Sequence, residues 1–170
     1  MLKIAGCIII FICSFALGNI KALSLKERRT ELENILELIK LMELEITYRK
    51  EPLIKTFKRT SALKNCWFGS VLEECSDMLI KKASLNEAWE TAIGKRGELS
   101  PLEAEDIAAL KDLVLGLGKS DADGQKKILV PVAARLESNM KKAEEREEKL
   151  GRMYKALGTA AGIVIVIMII

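Results

Sequence analysis

The sequence predicts an all-α protein: a cytosolic helical bundle flanked by an N-terminal and a C-terminal transmembrane helix. Three observations predict it. Apolar residues recur every three or four positions along most of the chain, both ends are uncharged apolar runs of helical length, and no segment alternates apolar with polar residues as a half-buried strand would. The expected division is residues 1–22 as the first crossing, 23–155 as the bundle and 156–170 as the second crossing.

The first run extends from Ile4 to Ile20 between Lys3 and Lys21, interrupted only by Gly6, Ser14, Gly18 and Asn19. It reads as an anchor or as a signal peptide, for which Ala16-Leu17-Gly18 is a loose cleavage site. Ile4-Ala5-Gly6-Cys7 has the look of a lipoprotein box, but it precedes the apolar region instead of following it, so lipid attachment is set aside. Lys21, Lys26, Arg28 and Arg29 outweigh Lys3 and the terminal amine, and Lys149, Arg152 and Lys155 flank the second run. The positive-inside rule then holds the middle of the chain in the cytosol and sends both termini across the cell membrane.

From Leu25 to Tyr48, Leu32, Ile35, Leu36, Ile39, Met42 and Ile46 give a helix with a broad apolar face. Thr30 and Glu33 are either a capping box or the interior of a helix continuing from the membrane. Glu51-Pro52 breaks the run, because the residue before proline avoids helical geometry, and Pro52 can open a short helix reaching about Ser61. Asn65 to Lys82 is a further helix with its aromatic end, Trp67 and Phe68, turned inward. Ser84 with Glu87 forms a capping box ahead of Ala88, Trp89, Ala92 and Ile93, and Gly94 with Gly97 ends that helix. Ser100-Pro101-Leu102-Glu103 places a cap, an N1 proline and an N3 carboxylate ahead of Ile107, Leu110, Val114 and Leu117.

Asp121 to Ile170 reads as one long helix. Leu129, Val132, Leu136, Met140, Ala143 and Leu150 form its apolar stripe in water, and from Ala156 onward the charges stop. Fifteen apolar residues rise about 22 Å, short of the roughly 30 Å of hydrocarbon, so the crossing borrows the preceding turn, where Tyr154 and Lys155 suit the headgroup level. Pro131 either kinks this helix or starts it.

Composition narrows the chemistry. With 27 Lys and Arg against 24 Asp and Glu, the net charge of +3 is not the basic stripe that nucleic acid requires. No histidine is present, which removes the usual general base and the commonest metal ligand. Cys7 and Cys13 lie in an apolar run, and if Cys66 and Cys75 share a helix, their nine-residue spacing turns them about 180 degrees apart, a geometry that cannot bridge. Buried thiols fit better than a zinc site.

Gly116-Leu117-Gly118-Lys119-Ser120 has the look of a phosphate-binding loop, but Leu113 occupies the position of its first glycine and a helix precedes it instead of a strand. Gly116 and Gly118 read as left-handed helix ends, with Ser120, Asp121 or Asp123 capping the final helix. The acidic groups at Glu43 and Glu45, at Glu103, Glu105 and Asp106, and from Glu144 to Glu148 read as solvated helix faces. No catalytic, cofactor-binding or metal-binding residue is assigned, and no cofactor is expected. Ser14 with Gly18 and Gly158 with Gly162 place small residues one turn apart in each apolar run, as close helix packing in lipid requires.

Glu43-Leu44-Glu45-Ile46-Thr47-Tyr48 with Pro52-Leu53, then Leu85-Asn86-Glu87-Ala88-Trp89, Leu115 to Asp121 with Gln125, and Arg152-Met153-Tyr154-Lys155-Ala156-Leu157-Gly158 resemble the stage III sporulation protein AB family of spore-forming bacteria. The resemblance covers nearly the whole chain. It implies a helical domain similar to the cytoplasmic domains of the type II secretion F component. It further implies a non-enzymatic platform in the mother-cell membrane facing the forespore, within a channel complex and beside a secretion-type ATPase. Glu43, Glu45 and Arg49, at helical spacing, are the candidate contact with that partner. Secretion platforms usually carry two such domains and three crossings, and this chain has room for one and two, which leaves association of copies open. The competing readings are a secreted or tethered helical enzyme using carboxylates, and a tethered sensor or scaffold.

Overall fold

A computed structural model describes the backbone of residues 2–49, 51–118 and 122–169, and the side chains of residues 6, 8–49, 51–118 and 124–168. The caps expected at Ser120 or Asp121 and the Cys7 thiol lie outside these described residues, and the backbone of Asp123 is already helical, which rules it out as the cap. All regular structure among the described residues is helical.

Helix α1 runs unbroken over Leu2–Leu44, so Thr30 is helix interior and not a cap. A π-helical turn, Glu45–Arg49, ends it. Pro52 comes next with φ −57° and ψ 144°, placing it just before α2 (Leu53–Leu63) and not inside it. Its carbonyl accepts from the amides of Lys55 at 2.9 Å and Thr56 at 3.2 Å.

Helix α3 (Trp67–Ile80) is capped by Cys66, whose sulfur accepts from the Gly69 amide at 3.3 Å. Glu31, buried on α1, accepts from the Phe68 amide at 2.9 Å, placing a carboxylate on the positive end of α3. Lys82 ends the helix at φ 65°, with bonds from Lys82 to Leu79 and from Ala83 to Met78 that close a Schellman turn. Helix α4 (Leu85–Arg96) begins with the Ser84–Glu87 capping box, its two reciprocal bonds at 3.2 and 3.0 Å. The Ser84 amide and hydroxyl hold the Glu87 carboxyl below its ordinary range.

Two readings of helix ends are corrected. No glycine among the described residues takes positive φ. Gly94 lies inside α4, whereas Gly97 does end it as the C-cap, at φ −62° and not in a left-handed conformation, and leads into a 3-10 turn over Gly97–Leu99. Gly118, at φ −73°, is needed for space: a Cβ there would sit 2.3 Å from Leu85 Cδ2, and one at Gly116 would sit 3.0 Å from Ile128 Cγ2. The Gln125 side chain donates to the Leu117 carbonyl at 2.9 Å, supplying the cap that the glycines do not.

Helix α5 spans Ala104–Leu117 and does not begin at Pro101. The Ser100 hydroxyl accepts from Leu102 in a local turn at 3.2 Å, and the box sits one turn later, where the Glu103 amide donates to Asp106 at 3.1 Å. Asp106 is fully buried, and its other oxygen accepts from Asn139 at 2.8 Å. That tertiary bond fixes which carboxylate serves as N3.

Helix α6 (Ala122–Arg146) carries Pro131 in its interior, so a start at Pro131 is set aside. Pro131 is exposed, which leaves the carbonyl it frees open to water. A second π-helical turn, Glu147–Gly151, leads into α7 (Arg152–Ile169).

The chain divides into two compact units. Met1–Arg29 and Lys141–Ile170 form one, and Thr30–Met140 the other. The second unit is the bundle, with Ile35, Leu38, Phe57, Phe68, Leu72, Trp89, Leu110 and Leu113 at its core, each at most 1% exposed.

Candidate functional site

In the unit formed by the chain ends, α1 and α7 meet through small residues. A Cβ on Gly18 would lie 2.6 Å from the Tyr154 carbonyl oxygen, and one on Gly158 would lie 2.9 Å from that of Ser14 and 3.0 Å from the Gly18 Cα. A Cβ on Gly162 would lie 2.9 Å from the Phe11 ring. The Ser14 hydroxyl donates to the Gly158 carbonyl at 3.0 Å. The structure thus brings Ser14, Gly18 and Gly158 into one backbone-to-backbone contact, and sets Gly162 against the side chains of Phe11 and Ser14. Any side chain larger than hydrogen at Gly18 or Gly158 would push the helices apart.

Ile8, Ile9, Ile12, Leu17, Ile163, Val164 and Ile167 are exposed on the outside of this hairpin. Two helices, Ile8–Arg49 and Gly124–Met168, are long and apolar enough to cross a membrane. Farther from the apolar end, Arg29 Nε lies 2.6 Å from Glu147 Oε2, each side chain about one quarter exposed at 25% and 26%. Sequence spacing offers no sign of this pair, because its members are 118 positions apart.

In the bundle, Glu43, Glu45 and Arg49 sit at the end of α1 and in the π turn. Glu43 is half-buried. The Glu45 side chain is only 15% exposed, with one oxygen 3.3 Å from Arg49 Nε and the other 3.7 Å from Arg59 Nε on α2. Glu45 is therefore committed to an ion-pair group, and Arg49, at 48%, is the member that projects. Tyr48 beside it is 80% exposed and Leu44 52%, an aromatic and an aliphatic side chain in water that sequence periodicity did not single out. Leu44 is the last residue of α1 and Tyr48 lies in the π turn that follows, where the shifted helical phase departs from a regular 3.6-residue period.

The chemistry of the remaining groups is quiet. Burial pushes the Cys66 thiol up, partly opposed by the Gly69 amide, and pushes Cys75 up to about 12. Both are free and buried. The Lys95 ammonium beside Glu74 holds its carboxyl low. Among the described residues, no cluster of three or more Asp, Glu or Cys is placed to hold a metal ion.

Known proteins share this architecture. A family model described as stage III sporulation protein AB matches residues 3–170. A similar protein is stage III sporulation protein AB of Bacillus subtilis (strain 168), 25% identical over 170 residues that cover 99% of each chain. A solved structure of stage III sporulation protein AB (SpoIIIAB) superposes with a TM-score of 0.65 at 23% identity, covering 72% of this chain and 98% of that one.

Proposed function

The chain belongs to the stage III sporulation protein AB family, a family of sporulation proteins, and from that premise we propose that it is a non-enzymatic assembly platform in the mother-cell membrane facing the forespore. In this reading the hairpin crosses the membrane, both termini are extracytoplasmic and the bundle lies in the cytosol. There the bundle docks a secretion-type ATPase and other membrane components of the channel between the two cells. The observation that supports it is the pairing of a helical bundle with two terminal apolar helices that interlock through Ser14, Gly18 and Gly158. Anchoring at both ends restricts the orientation of the bundle and raises its effective concentration near membrane-bound partners.

Docking is assigned to the turn of Glu43, Glu45 and Arg49, with the exposed Leu44 and Tyr48 as its apolar component. Exposed aromatic and arginine side chains are the types that dominate interface energetics. The test is co-purification of the ATPase with the full chain from sporulating cells. Tyr48→Ala with Arg49→Glu should lower recovery about tenfold or more while protein level and membrane insertion stay the same. Undiminished recovery would remove this surface from the interface. Reporters fused after Ala22 and between Gly94 and Ser100 should both register cytosol, and an extracellular mature form beginning near Asn19 would overturn the membrane placement.

A further inference from the structure

Within the terminal hairpin, α1, the end of α6, the π turn and the start of α7 enclose a cleft of about 680 Å³. Ala22 and Lys26 line it from α1, and Glu144, Glu148, Arg152 and Lys155 line it from the opposite side. Gly151, also in its wall, is buried, yet a Cβ there would meet no atom within 4 Å, so this backbone borders open space. The charges do not simply cancel. Arg29 is paired with Glu147, and Arg152 Nε donates to the Glu148 backbone carbonyl at 3.2 Å. The side chains of Lys26, Lys155, Glu144 and Glu148 have no hydrogen-bond or ion-pair partner among the described residues.

The order of these charges along the hairpin is informative. Starting from the apolar end, the chain presents Lys155 and Arg152 first, then Glu148 and Glu144. Arg152 and Glu148 are separated by about 6 Å of helical rise. A phospholipid with an ethanolamine headgroup presents the same sequence of chemistry outward from the hydrocarbon: acyl chains, a phosphate, then a primary ammonium a few bonds farther out. A glycerol headgroup carries the same phosphate but only neutral hydroxyls farther out, so it would satisfy the basic groups and leave the two carboxylates without a counter-charge in a partly desolvated cleft.

We propose that this cleft binds the headgroup of an ethanolamine phospholipid, its phosphate held by Arg152 and Lys155 and its ammonium by Glu144 and Glu148. The arrangement combines charge-assisted hydrogen bonds to phosphate with a basic juxtamembrane pocket, the setting in which headgroup recognition is found. The site rests on the membrane placement of the hairpin and is independent of any partner of the bundle.

The test uses the full chain purified in detergent and offered phospholipids of identical acyl chains with ethanolamine, glycerol or choline headgroups, with retained lipid read by native mass spectrometry. Wild-type protein should retain the ethanolamine lipid about tenfold over the other two. E144Q with E148Q should reduce that preference to near unity, and R152Q with K155Q should lower retention of all three. Gly151→Leu, which fills the cleft without touching a charge, should also lower retention of all three, with circular dichroism confirming that each variant is helical. Equal retention of the three lipids by the wild-type protein, or preference for the glycerol headgroup, would overturn the proposal. Retention of soluble phosphoethanolamine by the wild-type protein without retention of the ethanolamine lipid would overturn it in favour of a free ligand.

Discussion

The Ser14 hydroxyl donates to the Gly158 carbonyl at 3.0 Å, and a Cβ on Gly158 would lie 2.9 Å from the Ser14 carbonyl oxygen. Hydrogen bond and steric contact converge on one pair of backbones. In lipid, close packing of this kind stands in for the hydrophobic effect, and an interhelical hydrogen bond contributes about 0.6 kcal/mol. Ser14→Ala should therefore be nearly silent, and Gly158→Leu should separate the helices. The measurement is disulfide trapping between cysteines placed on the facing sides of α1 and α7 in a background free of native cysteine. Trapping that is unchanged in Gly158→Leu would show that the contact does not hold the hairpin.

The buried Asp106 should matter far more than Ser100. Asp106→Ala removes the acceptor for the Glu103 amide and leaves the Asn139 amide group unpaired in the core. Losing the cap and orphaning a buried donor should together cost about 3 kcal/mol. Ser100→Ala removes only a local turn bond and should stay within about 0.5 kcal/mol. Urea unfolding of the two variants checks the order, and the reverse order would place the start of α5 at Ser100.

The contrast between Ser100 and Asp106 also marks how far sequence reasoning reaches. Local chemistry made the helical elements legible: the capping box at Ser84 and the break at Pro52 depend on residues within one turn, and both are where spacing puts them. The Ser100 box had equally good local chemistry, yet Asp106 took the role because Asn139, 33 positions away, holds it in the core. Gly118 looked like a left-handed cap, but its smallness answers to Leu85 on another helix. For the candidate site, spacing marks a small-residue face on each apolar helix. That these faces meet one another, and that Arg29 reaches Glu147, is tertiary information that no local period contains.

Lys82 is the one non-glycine residue among the described residues with positive φ, at 65°, where it closes α3. An L side chain in that conformation costs about 1–2 kcal/mol, of which glycine recovers part after its own larger entropy loss. The Lys82 side chain is exposed and its backbone makes the Schellman bonds, so nothing else is lost on substitution. Lys82→Gly should stabilise the protein by about 0.5–1 kcal/mol. A rise in Tm of a few degrees is expected, and a fall would mean that the turn is not held in this conformation in solution.

Cys75 should behave as a thiol that titrates only outside the working range. Burial pushes it up to about 12 from an ordinary value of 9.0, so the folded chain keeps a proton that the unfolded chain releases between those values. The unfolded state then binds fewer protons, and the Cys75 contribution to stability falls as pH rises across that window. At pH 8 its thiolate fraction in the folded state is on the order of 10⁻⁴, since each unit below the pKa is a factor of ten. In a variant retaining only this cysteine, maleimide labelling at pH 8 should be more than about a thousandfold slower in the native protein than in urea, because the reactive thiolate is scarce and the side chain is inaccessible. Labelling at comparable rates in both states would show that α3 opens readily and that Cys75 is not sealed within the bundle.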